Sequence, residues 1–172
     1  MIIIGLGANL PWLGRSPVDN VTLAIAAVAR LGSFYKQSSL YKSRAWPDPS
    51  DPPYVNAVMA LSDTDIAPRQ FLEALHAIEA SFGRHRSESQ RYAPRSLDLD
   101  LLAFHDTTCK PAKPGAFALP HPAIQDRSFV LMPIAEILPD WRHPRTGLNC
   151  DEMLKTVDRE GTEILDGIIK PW

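Results

Sequence analysis

Asp98-Leu99-Asp100-Leu101 is the stretch whose residue types and spacing say most about chemistry. On a β-strand alternate side chains share a face, so the two carboxylates project the same way, about 6.6–7 Å apart along the strand. Leu97, Leu99 and Leu101 then fill the opposite, core-facing side. Aspartate is a poor strand former, and like charges on one face repel. A solvated polar face is the bland account, but lysine, threonine or glutamate would serve it as well. A hard divalent cation, which needs converging carboxylate oxygens, explains the choice of two aspartates. Magnesium takes one or two protein carboxylates and leaves its other positions to water and substrate phosphate.

The segment just before this strand carries the opposite sign. Arg84, His85, Arg86, Arg91 and Arg95 are opposed only by Glu88, in a chain whose net charge is −2. Solvated charge runs are common. This one abuts the carboxylate pair, and guanidinium forks grip polyphosphate oxygens bidentately. A metal site, arginines and no evident nucleophile point to phosphoryl-type transfer, in which positioning and charge stabilisation supply nearly all of the rate.

Weaker signals surround that centre. Gly5-x-Gly7 is not a complete G-x-G-x-x-G, because Leu10 holds the last position, and no G-x-x-x-x-G-K-[ST] occurs. The Rossmann and P-loop readings therefore lose residues they require. The two glycines are expected to form a turn and to allow close backbone approach near a sheet end. Asn9 fits either a turn or a ligand contact. His121, held between Pro120 and Pro122, suits a phosphate contact. Glu79 falls in the last turn of a predicted helix, where the dipole disfavours a carboxylate. It calls for a cationic partner, Arg84 being the natural candidate, and its role reads as structural.

The elements that must position these residues follow from periodicity. Met1 to Gly5 is an apolar, β-branched strand leading into the glycine turn. Asn20 is expected to cap a helix over Val21 to Leu31, stopped by Gly32. Ser33 to Arg44 and Tyr54 to Ser62 read as strands, paired as a wide hairpin across a loop from Ala45 to Pro53. A helix runs from Pro68 to Phe82, with Phe71, Leu75, Ile78 and Phe82 on one face. After the polar loop from Arg84 to Ser96, Leu97 to Phe104 is a strand. Arg127 to Leu138 is apolar and expected to be helical from Pro133 onward, Asp151 to Val157 a short helix, and Glu163 to Ile169 an edge strand. The order strand, helix, strand, strand, helix, strand is the βαββαβ pattern of an α+β, ferredoxin-like sandwich: a mainly antiparallel sheet with helices packed on it and long proline-rich loops.

Composition sets the outer bounds. The chain of 172 residues is read as one domain, 1–172, and its 45% hydrophobic and 22% charged residues are those of a globular protein. Pro47, Pro49, Pro52 and Pro53 fall within seven residues, so they mark a stiffened loop and not a helix or central strand. The slightly negative net charge argues against nucleic acid or an anionic membrane as partner. No apolar run reaches the roughly 18–20 residues of a membrane helix. The N-terminus lacks the basic region and cleavage site of a signal peptide, and two cysteines are too few for a disulfide framework. A cytoplasmic, monomeric protein acting on small molecules is the expectation.

Taken together, GLGANL at the start, SSLYKS, YVNAV, IEASFGR, RYAPRSLDLDLL and LPHPAIQDRSFVLMPI span nearly the whole chain. With them the chain resembles the 6-hydroxymethyl-7,8-dihydropterin pyrophosphokinase family, which has a ferredoxin-like fold. The resemblance implies pyrophosphoryl transfer from ATP to the pterin hydroxymethyl group, with release of AMP. It implies that Asp98 and Asp100 hold two magnesium ions on the triphosphate, and that Arg84 and Arg95 grip ATP and stabilise transfer. Tyr92, His121 and Arg127 match further nucleotide contacts. Tyr54, Asn56 and Phe129 match the pterin pocket, with Ser43, Arg44 and Trp46 in its other wall. The two proline- and arginine-rich loops would be lids that close over substrate. Tyr92 stands where the family usually has tryptophan, Ala93 where glycine is frequent, Pro122 where a polar or aromatic residue is common, and Arg44-Ala45-Trp46 in place of a proline-rich wall.

Two other readings share some of these features. A nucleotidyltransferase also pairs aspartates on a strand after an early glycine turn, but it releases pyrophosphate and not AMP. A non-catalytic RNA-binding module of the same fold would show aromatic residues where Asp98 and Asp100 stand.

Overall fold

The computed structural model describes residues 1–45, 48–84, 93–113 and 116–165. Its centre is β1 (Ile2–Ala8), an apolar run because it is covered on both faces. Antiparallel neighbours flank it, β4 (Tyr54–Asp63) on one side and β5 (Asp98–Phe104) on the other. Beyond β4 lie β2 (Ser33–Gln37) and β3 (Tyr41–Ser43), and the short β6 (Glu163–Ile164) pairs with β3. The order β5-β1-β4-β3-β6, with β2 also on β4, is the antiparallel arrangement expected of the ferredoxin-like α+β sandwich.

Helices cover both faces. On one, α1 (Pro17–Val28) and α2 (Pro68–Ser81) bury Ile2, Ile4, Leu6, Met59, Leu61, Leu99 and their neighbours. On the other, α3 (Ser128–Ile137) and α4 (Cys150–Leu154) bury Ile3, Val58, Ala60, Leu102 and Ala103. The second pair of helices covers only part of its face. Gly7, Asn56, Asp98 and Asp100 lie on that same face, and neither apolar core includes them.

Several local expectations give way to tertiary structure. The Gly5-x-Gly7 turn is absent; β1 continues straight through both glycines. A β-bulge between Ile3 and Ile4 offsets β5, so that consecutive Leu102 and Ala103 both enter the second core. Gly5 makes room for this, since a Cβ there would come within 3.3 Å of the Leu102 side chain. The α1 cap is Ser16, not Asn20: its hydroxyl accepts from the Asp19 N–H, and the Asp19 carboxylate accepts the Ser16 N–H in a capping box that encloses Pro17. Asn20 is buried inside the helix and donates to the carbonyls of Leu10 and Ser96. The expected strand over Ser33 to Arg44 breaks into β2 and β3 at Ser38 and Ser39, where the Glu136 carboxylate accepts from Ser39 and from the Tyr41 hydroxyl. Helix α3 begins at Ser128, five residues before Pro133, because its Val130, Leu131, Ile134 and Ile137 face the second core and outweigh the lost N–H. The C-terminal edge strand spans only Glu163–Ile164, and residues 166–172 lie outside the described set.

His143 supplies a pH-dependent element of this fold. It is buried edge-on against Trp141, and its Nδ1 accepts from the N–H groups of Arg145 and Thr146. Burial, reinforced by the Arg145 charge, holds its pKa below the ordinary 6.5. The unfolded chain therefore takes up this proton at higher pH than the folded one. The associated stability is complete above about pH 6.5 and is lost as pH falls below it. Thermal unfolding of wild type and His143→Gln at pH 7.5 and pH 5 should show a steeper acid loss in wild type. Parallel losses would remove His143 from the account.

Candidate active site

Cross-strand register builds the site. Gly7 stands opposite Asp98 on one side and Asn56 on the other, and Asn56 stands opposite Tyr41. One row across four strands thus reads Asp98, Gly7, Asn56, Tyr41, and neighbouring rows bring in Asp100 opposite Gly5 and Tyr54 opposite Ser43. Gly7 is the bare floor between carboxylate and amide: a Cβ there would sit 3.2 Å from Asn56 Oδ1, 3.7 Å from Tyr54 Cδ1 and 4.0 Å from Asp98 Cβ.

The arginines converge on Asp98 from two segments. Arg84 leaves the end of α2 through Gly83, whose φ of +77° and contact with the Trp12 ring, into which any Cβ would run, admit only glycine. Its Nη1 donates to Glu79 Oε1 at 2.7 Å and to the Leu97 carbonyl at 3.1 Å, and it also contacts Asp98 Oδ1. Glu79, only 1% exposed, accepts the Leu99 N–H at 2.8 Å through the same Oε1. The partner expected for Glu79 is therefore the one it has, and the carboxylate braces both Arg84 and the strand between the two aspartates. Arg95 donates from Nη1 to Asp98 Oδ2 at 3.0 Å and from Nε to the Ala93 carbonyl. Its backbone is tied to β1, with its N–H on Asn9 Oδ1 at 2.7 Å and its carbonyl accepting from Asn9 and Leu10. Asn9 also donates to the Pro52 carbonyl. This buried asparagine thus joins the arginine loop to the proline loop, a bracing role the sequence left undecided.

Asp100 faces another pair. Arg127, just ahead of α3, places Nη1 3.6 Å from Asp100 Oδ2 and its guanidinium 5.7 Å from the centre of the Phe129 ring. His121 follows a cis Leu119-Pro120 bond and donates its backbone N–H to the Leu102 carbonyl. Its Nδ1 accepts the Ala123 N–H, so in the neutral ring the proton sits on Nε2. Burial holds its pKa below 6.5 against the opposing pull of Asp100.

On the far side of Gly7 the surface is less charged. Asn56 and Ser43 are buried, and Asn56 Nδ2 donates to Ser43 Oγ at 2.9 Å, leaving the carbonyl end of the amide beside Gly7. Burial pushes the Tyr54 hydroxyl pKa up, with the nearby Arg95 charge opposing, so it is a neutral phenol at physiological pH. Arg44, at the end of β3, pairs with Glu160: its Nη2 lies 3.0 Å from Glu160 Oε1. Tyr92 and Trp46 fall outside the described residues. Sequence reading missed Glu136 and the bracing use of Asn9. The Ser16-x-x-Asp19 box, with Pro17 at its first helical position, was a legible signal for the α1 start.

Similarity to known proteins converges on one family. Residues 3–139 match the family model described as 7,8-dihydro-6-hydroxymethylpterin-pyrophosphokinase (HPPK). The 2-amino-4-hydroxy-6-hydroxymethyldihydropteridine pyrophosphokinase of Synechocystis sp. is 40% identical over 159 residues, 91% of this chain and 75% of that one. The enzyme of the same name from Pseudomonas aeruginosa is 37% identical over 168 residues, 96% of this chain and 97% of its own. Among solved structures, wild-type Plasmodium falciparum HPPK-DHPS with pteroate aligns with a TM-score of 0.69 at 11% identity, over 95% of this chain. This chain spans only 47% of that longer one, and the likeness there is one of fold.

Proposed function

Because the chain belongs to the 7,8-dihydro-6-hydroxymethylpterin-pyrophosphokinase family, which transfers pyrophosphate from ATP to hydroxymethyldihydropterin in folate biosynthesis, we propose that the sheet face around Gly7 carries out this transfer. The observation that supports the assignment is the row Asp98, Gly7, Asn56. It sets the acidic and arginine-rich half two strands, or about 10 Å, from the amide half. That span suits a triphosphate at one end and a flat heterocycle at the other.

In this reading Ser43, Tyr54, Asn56 and Phe129, with Arg44 and Trp46, form the pterin pocket. The Asn56 amide offers a hydrogen-bonding edge, and the rings of Tyr54 and Phe129 offer apolar faces. Arg84, Arg95, His121 and Arg127, with Tyr92, hold ATP. Arg84 and Arg95 are the catalytic pair. Their guanidinium groups already rest on Asp98, so an arriving triphosphate exchanges one set of oxygens for another and finds the positive charge in place. The hydroxymethyl oxygen forms a bond to the β-phosphorus and gives up its proton to solvent, while the bond from that phosphorus to the α-phosphate bridging oxygen breaks, releasing AMP. The Nε2 proton of His121 is available to a phosphate oxygen.

Asp98 and Asp100 would hold magnesium. Their side chains are 25% and 31% exposed, and among the described residues no third His, Cys, Asp or Glu joins them in a metal-binding group. Two partly exposed carboxylates on one strand face fit a cation that takes its remaining ligands from water and phosphate. Two such ions, when bound, would neutralise the triphosphate. We read the enzyme as a single domain acting as a cytoplasmic monomer on small molecules, without nucleic acid. No helix among the described residues is long and apolar enough to cross a membrane.

Incubation with hydroxymethyldihydropterin, ATP and magnesium should yield AMP and the pterin diphosphate. Release of pyrophosphate instead would favour the nucleotidyltransferase reading. Gly7→Ala tests the floor itself. Its methyl group would press on Asn56 and Tyr54, so pterin KM should rise about tenfold, equivalent to ~1.4 kcal/mol, with the thermal midpoint little changed. An unchanged KM would show that the heterocycle sits elsewhere.

A further inference from the structure

The chain after α4 folds back across β3, beyond residue 139 where the family match ends. Strand β6 pairs there in the register Tyr41↔Ile164 and Lys42↔Glu163, and the Leu165 N–H donates to the Leu40 carbonyl at 2.8 Å. Just before it, three consecutive residues touch both sides of the pterin pocket. Glu160 Oε1 lies 3.0 Å from Arg44 Nη2. Gly161, at φ +75°, lies directly under the Arg44 stem: a Cβ there would be 2.9 Å from Cγ, 3.0 Å from Nε and 3.1 Å from Cδ. Thr162 Oγ1 is 2.9 Å from Ser128 Oγ, the residue next to Phe129.

We propose that residues 160–164 are a positioning strap for the pterin pocket, fixing Arg44 and the end of β3 on one side and the start of α3 on the other. The inference rests on the pocket assignment above. Its physical basis is that β3 has three residues and only β4 on its inner side, too little to hold Ser43 and Arg44 in one place. Strand β6 supplies the second edge. The Arg44–Glu160 pair is exposed and contributes little alone. The glycine cradle does more, because both its backbone conformation and its lack of a side chain let the arginine stem lie flat. The nucleotide side has braces of its own: Arg84 and Arg95 are held by Glu79, Ala93, Leu97, Asp98 and Asn9, which lie outside the strap. The strap should therefore govern pterin affinity and leave ATP affinity alone.

Gly161→Val, Thr162→Val and Thr162→Ser separate these roles, read by equilibrium binding of hydroxymethyldihydropterin and of a non-hydrolysable ATP analogue, with kcat and KM beside them. Gly161→Val is expected to weaken pterin binding about tenfold and Thr162→Val about threefold, with Thr162→Ser restoring it. ATP-analogue affinity and kcat should stay within twofold. Unchanged pterin affinity in both valine variants, or equal weakening of both ligands, would overturn the proposal. Asn56→Ala in the same assay distinguishes the two levels. If it weakens pterin binding while the valine variants do not, the strap is wrong and the pocket stands. If it has no effect, the pocket assignment fails and takes the strap with it.

Discussion

Asp98→Ala should lower kcat for AMP release about a thousandfold, close to 4 kcal/mol of transition-state stabilisation, while the protein stays folded. The size of the loss follows from the position of Asp98 at the junction of every charged element of the site. One of its oxygens meets Arg84 and the other Arg95, and its strand neighbour two residues on, Asp100, meets Arg127. The fold should survive because Leu99 and Leu101 of β5, with Leu97 just ahead of it, are the residues of this stretch that fill the first core. Nor is a buried charge abandoned. Arg84 keeps Glu79 and the Leu97 carbonyl, and Arg95 keeps the Ala93 carbonyl and its backbone tie to Asn9. Steady-state assay of AMP, circular-dichroism melting, and manganese binding in the presence of an ATP analogue would together test the assignment. Turnover near wild type, or undiminished manganese binding, would remove Asp98 from the proposed metal site.

The second large effect is expected at a residue that need never touch substrate. Glu79→Ala should destabilise the fold by about 3–5 kcal/mol, the range typical of breaking a buried ion pair from one side. For a chain of this size that corresponds to a fall of about 10 °C in thermal midpoint. The Glu79 carboxylate is buried and its Oε1 serves two donors, Arg84 Nη1 and the Leu99 N–H. Alanine removes this acceptor from the Leu99 N–H and leaves Arg84 only the Leu97 carbonyl and Asp98, in a space that water reaches poorly. Turnover should fall as well, because Arg84 then loses the contact that orients it between helix α2 and Asp98. Glu79→Gln separates the contributions: it keeps an acceptor for Leu99 but removes the charge, and should fall between wild type and alanine in stability. A midpoint for Glu79→Ala within 2 °C of wild type would contradict the bracing role, taking about 2–4 °C per kcal/mol as the scale.

Much of this was legible from residue order, where the relevant physics is local. Alternation in LDLDL placed Asp98 and Asp100 on one face and Leu97, Leu99 and Leu101 on the other, and the structure has this division; past Leu101 the bulge sends Leu102 and Ala103 into the second core, so the polar face ends there. The helix over Pro68–Ser81 matches its apolar spacing, and the hairpin of β3 with β4 spans the proline loop as expected. The clustering of arginines before two aspartates marked the candidate site, where Arg84 and Arg95 meet Asp98, since charge density depends on composition over a few residues. Glu79, unfavourable by itself at a helix end, implied its arginine.

Contacts between distant segments were out of reach. Gly5 and Gly7 resembled a turn because a glycine's freedom is visible locally, while the Leu102 and Asn56 side chains that need the space lie on other strands. Asn20 resembled a cap because nothing nearby revealed the carbonyls of Leu10 and Ser96 waiting in the interior. Pro133 suggested a helix start until the second core drew Val130 and Leu131 into the helix ahead of it. Glu160 and Thr162 carried no signal, since a salt bridge or hydroxyl pair across 116 or 34 residues has no period. Sequence by itself determined where the charged and hydrogen-bonding groups of the candidate site lie along the chain and that Asp98 and Asp100 share a face. Only tertiary structure decided which of them meet, because strand register and the route of the chain after α4 depend on packing the whole sheet at once.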